Sequence, residues 1–146
     1  MAFDMQKVRA KIQMIEENVR RLEALQARAH DEFIGDFLAL EAAKHLLQVS
    51  IEAMLDIGAH LTARLRLKTP RDGAQVFQQL AQEGLLPADH VPTYTRMVKF
   101  RNLLVHLYQE VDAEQVYQIV QKELGDFRIF IADVWAIVHR QPGVSQ

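Results

Sequence analysis

The sequence contains no cysteine. Disulfides and thiolate metal sites are therefore excluded, and the composition suits a reducing cytoplasm, the expected location. Proline and glycine are sparse, four and six in 146 residues, and alternating runs of β-branched residues are missing. Turn-rich sheet folds are thereby excluded, and the pattern reads as all-helical. No apolar run approaches the roughly 20 residues that a membrane span requires. The opening MAFDMQKVRAKIQ alternates charged and apolar residues, unlike the continuous apolar block of a secretory signal. Neither sign of charge dominates: 17 Lys and Arg face 19 Asp and Glu, a net charge of −2. A nucleic-acid site would have to be local, a few cations in a groove. Phosphate-cradling glycine loops, Ser-His-Asp arrangements and zinc spacings are also missing.

What the chain does have is helical periodicity. The length fits one domain with a real core, expected over residues 1–140, followed by a tail at 141–146. Asp4 can cap a first helix to about residue 28, with Val8, Ile12, Ile15, Val19 and Leu22 at helical spacing. One long helix is expected over 30–67, ended by Pro70 and Gly73, then a short one over 73–82, stopped by Gly84 and Pro87. A fourth is expected over 88–109, with Pro92 in its first turn, and a fifth from Asp112 to about residue 140. Four long helices and one short one, joined by short loops, predict an up-and-down helical bundle.

The fourth helix has two apolar stripes. Phe100, Leu103, Leu104, Leu107 and Val111 form a natural core face. Val91, Tyr94, Val98 and Val105 form a second series, whose spacing of 3, 4, 3, 4, 3 is completed by Arg101 and Tyr108. This second stripe packs either inside the bundle, against the short third helix for example, or against a second copy across a two-fold axis. On the wheel, Arg101, Asn102, Val105 and His106 tile the face opposite the core.

These residues carry a resemblance. RNLLVHLY, residues 101–108, reads Arg-x4-His-x-Tyr, with Asn after the arginine. It resembles the signature of HEPN-domain toxins of the HepT type, and the helical order and length agree along most of the chain. The resemblance implies a HEPN-like bundle and the toxin of a type VII toxin–antitoxin pair, a metal-independent endoribonuclease working without a cofactor. It implies a homodimer formed through the helix that carries Arg101 and His106. It also implies a partner, an MntA-like nucleotidyltransferase antitoxin that attaches AMP to the motif tyrosine, Tyr108.

The residue types suit that chemistry. RNA carries its own nucleophile, the 2′-OH, so cleavage needs a proton taken from that hydroxyl, a proton given to the leaving 5′-oxygen, and charge stabilisation on phosphorus. Histidine, with an unperturbed pKa near 6.5, is the natural proton carrier. Arginine is permanently charged and forks onto phosphate oxygens. His106 and Arg101 are therefore the expected catalytic residues, Asn102 a supporting one. One chain offers one such histidine, and a two-fold dimer would offer two. A nucleotide on Tyr108 would place phosphate charge beside Arg101 and exclude RNA. The alternative is a non-catalytic substrate-binding or scaffolding subunit of a nucleotidyltransferase complex.

A second polar line runs along the long helix: Glu41, His45, Glu52, Asp56 and His60. Its functional reading is a polar wall of the groove or a metal site; a solvated face is preferred, because the spacing is Glu-x-x-x-His and Asp-x-x-x-His where di-iron bundles use Glu-x-x-His, and no second set exists. Asp56 and His60 are the minor candidates for orienting the motif side chains. Leu124, Phe127, Ile131, Val134, Trp135 and Val138 read as core, and ARLRLK, residues 63–68, as basic residues suited to a helix C-terminus.

Overall fold

The computed structural model describes residues 3–106 and 110–140. Among these residues it holds seven α-helices: α1 Met5–Leu25, α2 His30–Gly35, α3 Phe37–Arg64, α4 Gly73–Gln82, α5 Val91–Val105, α6 Ala113–Lys122 and α7 Gly125–Arg140. A 3₁₀ turn, Ala88–His90, leads into α5. The bundle architecture is as the periodicity predicts, and the short helix at 73–82 has the expected bounds.

Aspartates start four of these helices. Asp4, Asp36, Asp72 and Asp112 each accept a backbone N–H of the first turn, the orphan donors that a helix start leaves open. This capping explains the first departure from the predicted elements. The expected helix over 30–67 is broken at Asp36, whose extended backbone ends α2 while its carboxylate caps α3 and pairs with Arg28 at 2.9 Å. The fifth helix is likewise divided, at Glu123 and Leu124, before Gly125 opens α7. The fourth ends at Val105 instead of residue 109.

The core forms where the apolar faces meet. Val8, Ile12, Ile15, Val19 and Leu22 of α1 are buried, and α1 packs along α3, with Asn18 Nδ2 donating to Ser50 Oγ at 3.2 Å inside the contact. Helix α4 lies against α3 at Gly58, where a Cβ would overlap the Val76 side chain; only glycine permits that approach. An aromatic cluster of Phe77, Tyr94 and Phe130 joins α4, α5 and α7, with ring centroids 5.4–5.7 Å apart and tilted to edge-on geometry. In α7 the predicted core residues are buried, apart from Trp135, which is partly buried and stacks on His139.

The two stripes of α5 resolve differently along its length. Tyr94 and Val98 of the second series are buried in the bundle, so that half needs no second copy to cover it. Val105, at the other end, is exposed. Of the predicted core face, Phe100 is buried, Leu103 and Leu104 are half-buried, and Leu107 lies outside the described residues. No helix among the described residues is long and apolar enough to cross a membrane.

Candidate nuclease site

The site is built where the end of α5 passes the middle of α3. The two helices run antiparallel: Val98 lies level with Leu55 around Gly73, and Arg101 meets Glu52. Arg101 is therefore not on an open face opposite the core. It is half-buried against α3, and its Nε and Nη2 both donate to Glu52 Oε2, at 3.2 and 3.1 Å. Its Nη1 donates to Asn102 Oδ1 at 3.1 Å. Gln48 Nε2, one turn from Glu52 on α3, donates to the same carboxylate oxygen at 3.3 Å. A guanidinium has five N–H donors. Three are engaged here, which leaves two for an incoming anion.

His106 is the residue at which the chain leaves α5. Its backbone is extended (φ −86°, ψ 106°), and its N–H donates to Leu103 O at 3.3 Å. The helical wheel therefore does not place it. It is positioned by the end of the helix, and its side chain is exposed. It lines a groove of about 620 Å³ together with Glu41, Lys44, His45 and Gln48 of α3, Leu104 of α5, and Glu110 and Val111 beyond it. Gln48 touches both the groove and Glu52, so it links the groove wall to the arginine. His45 places a second imidazole on the same wall, in line with the groove-wall reading of the α3 polar line. Tyr108 lies outside the described residues.

The rest of the α3 polar line has other tasks. Glu41 pairs with Lys44 at 3.2 Å and Asp56 with Lys11 at 2.9 Å. His60 Nε2 accepts the Asp4 N–H at 3.0 Å, and burial together with Lys7 and Arg64 holds its pKa below the usual histidine value. Asp56 and His60 thus secure α1 to α3 and do not orient the motif. Glu52, read from the sequence as part of a solvated face, is the motif's real support. An arginine within an apolar seam requires a carboxylate nearby, and that requirement was the available signal. Among the described residues, no three His, Asp or Glu side chains converge as metal ligands would.

Comparison with known proteins places this geometry in context. The family model of the ribonuclease HepT-like proteins matches residues 15–134. The chain belongs to that family. It is 31% identical over 121 residues to the mRNA nuclease HepT of Shewanella oneidensis, covering 83% of this chain and 90% of that protein. It is 20% identical over 127 residues to the tRNA nuclease HepT of Aphanizomenon flos-aquae, covering 87% and 86%. Among solved structures it resembles the tri-AMPylated Shewanella oneidensis HEPN toxin in complex with MNT antitoxin, with a TM-score of 0.82 at 30% identity, covering 89% of this chain and 97% of that one. The HepT-like match spans α3 and α5, and so includes Glu52, Arg101 and His106.

Proposed function

We propose that this HepT-like chain is the toxin of a toxin–antitoxin pair: an endoribonuclease of the cytoplasm that cleaves RNA through its own 2′-OH, without a metal. The observation that carries the reading is the Arg101 guanidinium, fixed by Glu52 and Asn102 with two N–H donors left, beside the groove that His106 lines. Arg101 binds the scissile phosphate bidentately and stabilises the extra negative charge of the phosphorane. Glu52 and Asn102 position the guanidinium. The His106 imidazole moves the proton. In the transfer, the 2′-oxygen attacks phosphorus, its proton goes to a base, the P–O5′ bond breaks, and the leaving 5′-oxygen takes a proton from an acid. The products are a 2′,3′-cyclic phosphate and a 5′-OH. Two subunits related by a two-fold axis, joined at the exposed end of α5 around Val105, supply one imidazole as base and the other as acid.

Silencing, in the same proposal, acts through Tyr108. Tyr108 is two residues beyond His106, at most about 7 Å along the chain. Its phenol oxygen attacks the α-phosphorus of a nucleoside triphosphate on an MNT-type nucleotidyltransferase, pyrophosphate leaves, and the phenol proton passes to solvent or a base. The AMP so attached carries phosphate charge to the place where RNA phosphate binds. The homology to a toxin described as tri-AMPylated and bound to MNT antitoxin supports this reading.

The test is purified protein incubated with RNA in EDTA, with the product ends analysed, beside intact-mass measurement after co-expression with the nucleotidyltransferase. Cleavage to cyclic-phosphate ends, and AMP-sized increments that map to Tyr108 and abolish cleavage, are expected. No cleavage by unmodified protein would favour a non-catalytic subunit.

A further inference from the structure

The start of α3 carries a feature that neither the core nor RNA cleavage accounts for. Phe37 and Leu38 are 71% and 76% exposed, side by side, directly after the Asp36 break. Single exposed apolar residues are ordinary on protein surfaces. An aromatic and an aliphatic side chain, both about three-quarters exposed at a helix start, form a patch that a partner would cover.

Its place relative to the site gives it meaning. At about 100° per residue, Phe37, Leu38, Glu41, His45, Gln48 and Glu52 fall within an arc of roughly 100° on α3. Glu41, His45 and Gln48 line the groove with His106, and Glu52 holds Arg101. One continuous face therefore runs from the apolar step, past the groove, to the arginine. Its length from residue 37 to residue 52 is about 22 Å, a span that one globular partner covers easily.

Charge selects the partner. Asp31, Glu32, Asp36 and Glu41 surround the step, and Arg28 and Lys44 offset only part of this charge, through contacts of 2.9 Å to Asp36, 3.7 Å to Glu32 and 3.2 Å to Glu41. Asp31, paired with His30, is fully exposed. An RNA backbone would be repelled here. In a two-fold contact through this step, a second copy would bring the same carboxylate excess against itself. The surface fits a protein that presents an apolar pocket rimmed by lysine and arginine.

We propose that Phe37 and Leu38 are the docking anchor for the modifying nucleotidyltransferase, seated so that its active site faces the groove lined by His106, two residues before Tyr108 in the sequence. The proposal rests on the reading that such a partner modifies this chain. It adds where that partner sits and what chemistry its surface has.

The experiment uses the full chain carrying F37E and L38E together, the purified nucleotidyltransferase, and three readouts: affinity by calorimetry, AMP incorporation by intact mass, and RNA cleavage. A decrease of at least tenfold in affinity, loss of the adduct, unchanged cleavage and an unchanged oligomeric state are expected. The charge reversal D31K with E32K, which leaves the apolar step intact, should also weaken binding. Unchanged affinity and adduct in F37E/L38E would overturn the proposal. So would loss of RNA cleavage, which would make RNA the occupant, or conversion to monomer, which would make it a second copy. If the wild-type chain binds the enzyme but takes no AMP, the modification reading fails while the affinity data still judge the docking site. If it does not bind, both fall.

Discussion

The two ends of α5 each hold a carboxylate from another helix, and they use it in opposite ways. At the start, Asp133 of α7 lies 2.8 Å from His90 Nδ1 and accepts the Tyr94 hydroxyl. Asp133 and Tyr94 are buried, and burial beside that carboxylate pushes the Tyr94 phenol far above its usual pKa. At the end, Glu52 of α3 holds a half-buried Arg101 that keeps two N–H donors, and Gln48, bonded to the same carboxylate oxygen, lines the open groove. The first arrangement closes on itself, as a buried polar network must. The second leaves two N–H donors of its cation unused, which suits the phosphate binding proposed for it. One helix is anchored in the core at its N-terminal end and carries the proposed site at the other.

The sharpest way to break this contrast is a pair of substitutions. Arg101→Ala should lower RNA cleavage at least a hundredfold, the scale of losing a charge-stabilising donor, while the urea midpoint stays nearly constant. Asp133→Ala should do the reverse. It leaves the Tyr94 hydroxyl buried without an acceptor, so stability should fall by about 2 kcal/mol, while cleavage per folded molecule is unchanged. Equal effects of both on both measurements would erase the distinction.

Glu52 sharpens the functional side. Glu52→Ala should lower cleavage roughly tenfold through kcat, because Arg101 loses its orientation. Glu52→Gln keeps an acceptor and should recover most of that loss. A KM effect alone, or no rescue by glutamine, would argue against a positioning role.

The structural end has a pH signature. The bond to Asp133 raises the pKa of His90 above the ordinary histidine value. A raised histidine stabilises the fold fully below its unfolded pKa, near 6.5, and the contribution is lost as pH rises through the higher folded value. The melting temperature of wild type should therefore exceed that of His90→Gln most below about pH 6, and the gap should narrow above neutrality. A gap that widens with pH would show the opposite linkage. The smallest effect concerns His45. If the second proton carrier is the partner subunit's imidazole, His45→Asn should change the cleavage rate less than about threefold, below the scale of a general acid or base. A hundredfold loss would place both proton carriers within one chain.

Much of the bundle was legible because apolar spacing and Asp, Pro and Gly punctuation are local signals. Helix α4 and the buried faces of α1 and α7 follow from them directly. The break at Asp36 was not legible, because the apolar pattern runs through it; only the pairing of Asp36 with Arg28 and its capping of α3 show why the chain turns there. The early end of α5 had the same consequence for His106, which a wheel drawn through residue 109 puts on a helix face it does not occupy. Arg101, Asn102 and His106 were visible as a motif, but Glu52 was not visible as their partner. It lies 49 residues from Arg101, and contact across helices depends on registry that no local pattern records. His45 was visible in the polar line that one reading made a groove wall, but its place in the groove with His106 depends on the same registry.

In the proposed reaction His106 transfers the proton of an RNA 2′-OH. An RNA oligonucleotide and its all-deoxy counterpart, each incubated in EDTA with wild type and with His106→Ala of matched helicity, put that step to the test. Wild type should cut the RNA to a 2′,3′-cyclic phosphate and leave the DNA intact, and the variant should cut RNA at least a hundredfold more slowly. RNA cleavage at the wild-type rate by His106→Ala, or cleavage of the deoxy strand by wild type, would contradict the account.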